Sequence, residues 1–145
     1  MNDVPQLELR DADGSTLRFA ITGSTEHEVS YVITIDVGWA RASAEVSTYL
    51  YGPPIQFFKS LAESWRGWEG EKTWEDLEHR VGLTATCDRT GHVTLKVLVQ
   101  DSQYSGRAIL PIYLEAGGLE AVAKRVESWF SQAPPNTSLE RTREG

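Results

Sequence analysis

The chain has 145 residues, 40% of them apolar, with 21 Asp and Glu against 14 Lys and Arg for a formal net charge of −7. That length suits a single domain whose core needs no disulfide or metal to hold it. The acidic balance, with no basic run to offset it, disfavours nucleic acid and anionic membranes as partners.

Strand periodicity opens the chain. Leu7 and Leu9 alternate with polar residues, Asp11 to Ser15 has turn composition, and Leu17, Phe19 and Ile21 resume the alternation. After Gly23-Ser24-Thr25, residues Val29, Tyr31, Ile33, Ile35, Val37 and Trp39 occupy one face of a strand with a wetter opposite face. A turn near Gly38–Arg41 leads to Ala42, Ala44, Val46, Thr48 and Leu50. The period then changes. Gly52-Pro53-Pro54 precedes Ile55, Phe58, Leu61, Ala62 and Trp65, spaced for one helix face, and Gly67 is placed to stop that helix. A loop is expected from Trp68 to Arg80. Strands return with Leu83, Ala85 and Cys87, a hairpin at Asp88-Arg89-Thr90-Gly91, and Val93, Leu95, Val97 and Val99. The last strand holds Ala108, Leu110, Ile112 and Leu114. Pro111 inside it cannot donate to a ladder, which predicts an edge or a bulge. A second helix follows Gly117-Gly118, with Leu119, Val122, Ala123, Val126 and Phe130 on its apolar face.

The order is four strands, a helix, three strands, a helix. It predicts an α+β domain over residues 1–132, built on an antiparallel sheet of about seven strands with both helices on its apolar face. No internal repeat is visible. Residues 133–145, rich in Pro, Ser, Thr and charge, are expected to form a disordered tail. The single thiol, Cys87, rules out an internal disulfide. With no signal-like N-terminus and no apolar run near the ~20 residues of a membrane helix, the expected location is the cytoplasm.

The most distinctive stretch is Trp65-Arg66-Gly67-Trp68-Glu69-Gly70-Glu71-Lys72-Thr73-Trp74. It has two readings. In one, the tryptophans close a structural corner; in the other, Trp65, Trp68 and Trp74 form a recognition platform beside Arg66, Glu69 and Lys72. Catalytic signals are thin. His27, His79 and His92 lie far apart on turns and loops, with no spacing that suits a metal. Cys87, Asp88 and His92 bracket one hairpin, so a thiol, a carboxylate and an imidazole could approach, yet Cys87 continues an apolar strand face and reads as a small buried hydrophobe. Glu69, Glu71, Glu75, Asp76 and Glu78 read as solvated charge or an acidic recognition patch. The sequence predicts no catalytic residue, metal ligand or cofactor.

The Trp65–Trp74 segment, with Gly91-His92-Val93-Thr94-Leu95 and Glu115-Ala116-Gly117-Gly118-Leu119-Glu120, resembles an uncharacterised bacterial family of small proteins. The element order also resembles that of immunity proteins of the wall-associated-toxin type, and Pro135 to Arg143 is similar to the translated recombination site that ends mobile integron gene cassettes. These resemblances imply an accessory gene of mobile bacterial DNA and a non-enzymatic protein binder whose partner is a toxin or another protein. A small-ligand or carbohydrate module using the tryptophan corner and an enzyme of unrecognised type stay open beside it, as do monomer and homodimer.

Overall fold

In the computed structural model, residues 6–49 and 52–132 are described. The first sheet is formed by β1 (Leu7–Arg10), β2 (Thr16–Ser24), β3 (Val29–Asp36) and β4 (Arg41–Ser47), after which α1 (Ile55–Glu63) begins beside Pro54. The second is formed by β5 (Lys72–Glu75), β6 (Val81–Cys87), β7 (His92–Gln100) and β8 (Arg107–Glu115). A short 3₁₀ turn (Ala116–Gly118) then leads into α2 (Leu119–Ser131). Each sheet is an antiparallel meander in chain order, β1-β2-β3-β4 and β5-β6-β7-β8.

The single sheet of about seven strands is therefore replaced by two sheets of four. Two physical facts account for the difference. Strand β5 is four residues long and half-exposed, too short for its alternation to stand out from the charged loop expected there. And β4 and β5 are joined through a helix rather than a hairpin, so neither needs to pair with the other, and both remain edges. Trp39 is a second correction. Strand β3 stops at Asp36, and Val37 N–H closes a two-residue turn on the Ala40 carbonyl, with Gly38 at φ +93 in its first central position. Trp39 is then the turn's second central residue and is 85% exposed, not part of an inward face. Residues 133–145, expected to be a tail, lie outside the described residues.

Both halves have the same order, a four-stranded meander followed by a helix, although their sequences show no repeat. The registers align them: Leu9–Leu17–Ile35–Ala42 runs across the first sheet as Trp74–Leu83–Val97–Leu110 runs across the second. On this alignment Asp11 corresponds to Asp76, Ser43 to Pro111, and Glu45 to Tyr113. Both aspartates are buried and organise the turn after the first strand of their half. Asp11 accepts from the N–H groups of Asp13 and Ser15, and Asp76 from those of Glu78, Arg80 and Val81. Asp11 also uses its second oxygen to accept from Tyr113 N–H on β8, 3.1 Å away, joining the first sheet to the edge of the second.

The inward rows of both sheets and the apolar helix faces merge into one core. Alternation decides the rows: Tyr31, Ile33 and Ile35 on β3, and Val93, Leu95 and Val97 on β7, are all fully buried. Phe19, Tyr31, Trp129 and Phe130 form an aromatic cluster, with Tyr31 and Phe130 edge to face at 5.1 Å. Helix α1 packs against α2, flanked by a Lys59–Glu127 ion pair of 3.1 Å, and Arg125 of α2 donates to the Glu8 carbonyl on β1. No described helix is long and apolar enough to cross a membrane. Pro111 lies on β8, an edge strand as its chemistry requires.

Candidate functional site: the tryptophan corner

After Glu63 the chain leaves α1 and must reverse into β5. Gly67 (φ +110) and Gly70 (φ +75) make that possible, since both sit in backbone conformations that side chains disfavour. Gly67 N–H closes a turn on the Ser64 carbonyl at 2.7 Å, and its Cα side faces the Cys87 sulfur. The corner is thereby laid against the end of β6.

The three tryptophans point to three different places. Trp65 falls beyond the helix end and is 55% exposed, beside a hollow shared with Ala62, Gly117 and Glu120. The Arg66 guanidinium lies 5.0 Å from its ring centroid, a cation–π pair at the surface. Trp68 is half-buried, donates from Nε1 to the Ala85 carbonyl at 3.2 Å, and has Lys72 Nζ 5.6 Å from its ring centroid. Trp74 sits on β5 opposite Leu83 and packs against the core. A platform of three parallel indoles is not assembled.

What the corner does form is an open cleft of about 700 Å³, lined by Arg66, Trp68, Glu69, Glu71, Cys87 and Arg89 among others. Of the six residues singled out in the sequence, Arg66, Trp68 and Glu69 line it. Lys72 abuts it over the Trp68 ring, Trp65 borders the neighbouring hollow, and Trp74 faces inward. Cys87 and Arg89 were not part of that set. They come from the β6–β7 hairpin, which only the fold brings to the corner.

The hairpin does not unite Cys87 with His92. Cys87 pairs with Val93, so it shares the inward face, while His92 is one residue earlier and faces outward. Cys87 is half-buried rather than sealed in the core. His92 instead meets Thr90, whose Oγ1 is 2.6 Å from Nδ1, and Glu115, 3.5 Å from Nε2. This hydroxyl–imidazole–carboxylate line is not an activated nucleophile. The one hydroxyl proton of Thr90 goes to Asp88 at 2.8 Å, so Nδ1 must donate to Thr90 instead of accepting from it. Asp88 can only accept, because its pKa is held at about 2 by the His92 backbone N–H and then by the Thr90 hydroxyl and N–H. Among the described residues no three His, Cys, Asp or Glu side chains gather into a group that could hold a metal ion.

A family model described as a family of unknown function (DUF6228) matches residues 8–133, which takes in both sheets apart from Leu7, both helices and the corner. The chain belongs to that family. No curated protein matches the DUF6228 chain. Two solved structures are similar in outline. One is of the plant transcriptional regulator PBF-2, at TM-score 0.46 and 8% identity, covering 92% of this chain and 87% of that one. The other is of Trypanosoma bruciei MRP1/MRP2, at TM-score 0.44 and 14% identity, covering 88% of this chain and 86% of that one. Likeness at that level carries no inference about function.

Proposed function

We propose that this DUF6228 chain is a non-enzymatic protein-binding module that uses the Trp65–Lys72 side of the corner as its contact surface. The observation behind it is the exposed Trp65 ring with Arg66 stacked on it, Arg66 also lining the cleft that holds Trp68 and Glu69. Tryptophan and arginine dominate binding energy at protein interfaces, and a large aromatic left in water is stabilised by a partner that covers it. The immunity-like form of this proposal makes the partner a toxin, and the net charge of −7 suits a basic one. A reducing cytoplasm suits the single thiol.

The small-ligand alternative draws less support, because Trp68 already has its N–H on Ala85 and a cation over its ring, while Trp74 packs on the core. A photo-crosslinking residue placed at Trp65, and separately at Ala20 on the outer face of the first sheet, tests the proposal in the native host cell. Position 65 should give one discrete protein adduct that position 20 does not, and the captured partner should slow alkylation of Cys87 at least tenfold by covering the cleft. Equal labelling from both positions, or an unchanged Cys87 rate with partner bound, would remove the corner as the contact surface.

A further inference from the structure

A sheet edge exposes a row of backbone N–H and C=O groups that invites another strand, and proteins usually obstruct it. The described strands leave four edges, and three are obstructed or short. On β1, four residues long, the Glu8 carbonyl is taken by Arg125. Strand β5 is also four residues. On β8 the outward groups belong to Arg107, Ile109, Pro111, Tyr113 and Glu115, since Asp101 and Gly106 close the hairpin and the bonding alternates from there. Pro111 has no N–H, and the N–H of Tyr113 is capped by Asp11.

Strand β4 is different. The Val37–Ala40 bond at the turn and the Thr48–Val29 bond at the far end fix the alternation between them, so Arg41, Ser43, Glu45 and Ser47 direct their backbone groups away from β3. The counterparts of the two obstructions are missing from this half. Ser43 stands where β8 has Pro111. Glu45 stands where β8 has Tyr113, and Asp76, the counterpart of Asp11, gives both its oxygens to its own turn. Between β4 and that turn lies a groove of about 390 Å³, lined by Glu28, Glu45, Ser47, Tyr49, Asp76 and Glu78 among others, with no Lys or Arg among its described lining residues. Two of its acids are tethered beside the edge rather than across it: Thr22 donates to Glu45 at 2.5 Å, and Ser47 donates to Glu28.

We infer that β4 is a docking edge, and that it takes an extended, lysine- or arginine-bearing segment of a partner protein as a fifth antiparallel strand. The open backbone groups supply the ladder. The carboxylates of Glu45 on the strand and of Glu28 and Glu78 on the loops that line the groove select the charge, because a cation lying beside them is stabilised and a like charge is opposed. The surface is separate from the tryptophan corner and does not depend on it.

The probe is a blocked peptide alternating lysine and valine, titrated into the isotope-labelled full chain, with its glutamate–valine counterpart as control. The lysine peptide should shift the amides of Ser43, Glu45 and Ser47 and slow their hydrogen exchange, and the glutamate peptide should not bind. Ser43→Pro copies Pro111 of the other sheet. It removes one outward N–H without changing a charge, so it should weaken the lysine peptide at least tenfold. Glu45→Gln with Glu78→Gln should weaken it and flatten its salt dependence, while Trp65→Ala should leave it unchanged. Undiminished binding by Ser43→Pro would show mere charge attraction and overturn the inference, as would shifts confined to the corner. A peptide-free dimer that Ser43→Pro dissociates would assign the edge to a second copy and equally overturn it. If Ser43→Pro fails to fold, exchange protection of Glu45 and Ser47 in the parent chain still decides between strand addition and its absence.

Discussion

Tyr31 shows how much one side chain depends on its surroundings. It is fully buried in the aromatic cluster, and its hydroxyl has no hydrogen-bond partner among the described residues. Burial raises its pKa far above the ordinary 10.0, and the negative charge of Asp76 adds to the shift. A phenol with a raised folded-state pKa contributes stability that is intact below pH 10 and is eroded as pH climbs from 10 towards the folded value, because the unfolded chain ionises first. Tyr31→Phe keeps the ring packing and removes an unsatisfied polar group. It should leave neutral-pH stability unchanged or raise it by up to about 1 kcal/mol, and flatten its decline above pH 10. Urea unfolding at pH 7 and pH 10.5 checks both, and a loss of about 2 kcal/mol in the variant would mean the hydroxyl has a partner. Nothing in the strand pattern around Tyr31 distinguishes it from Ile33 or Ile35; only its depth in the core makes the hydroxyl matter.

At the scale of one element, the β6–β7 hairpin is set by Asp88. Its carboxylate accepts from the N–H groups of Thr90 and His92 and from the Thr90 hydroxyl, which lowers its pKa from 3.8 to about 2. The lowered value means the contribution is present above pH 3.8 and is lost as pH falls towards 2. A carboxyl-carbon titration should give a midpoint near 2, and His92→Gln should move it little, because the leading cause is the His92 backbone N–H rather than its ring. A midpoint near 3.8 would remove Asp88 as the turn's organiser. The Asp-Arg-Thr-Gly composition predicted this hairpin correctly, since turn chemistry is local. The same locality explains the error over β5. Four residues carry too little alternation to be read as a strand, and their pairing with β6 is a long-range fact. Trp65 is a similar case: helical spacing placed it on the α1 face, but α1 ends at Glu63 and leaves it in water.

Across the whole molecule, Asp11 ties the two halves together, reaching from the first β-turn to Tyr113 on β8. Asp11→Ala should lose this bond and the oxygen that accepts from the turn's two N–H groups together, a destabilisation of about 2–3 kcal/mol. Asp11→Asn is the finer test. Its amide oxygen can still accept from the turn, but its amide nitrogen meets the Tyr113 N–H donor to donor. It should therefore lose less overall while opening the seam, seen as faster exchange of the Tyr113 amide at an unchanged urea m-value. Equal Tyr113 exchange in parent and Asn variant would show that the seam is held by packing alone.

The sequence by itself determined the local facts: which residues alternate, where the turns fall, that Pro111 needs an edge, and that two amphipathic helices each follow a run of strands. Those follow from backbone sterics and from a period of 2 or 3.6, which neighbours along the chain carry between them. Only the tertiary structure decided that eight strands divide into two sheets, that Cys87 and His92 face opposite ways while Cys87 and Arg89 line one cleft with Trp68, and that β4, among the described strands, keeps a long edge open. These depend on contacts between residues far apart in the chain, where the gain from burial and pairing is shared among several segments and leaves no pattern in any one of them.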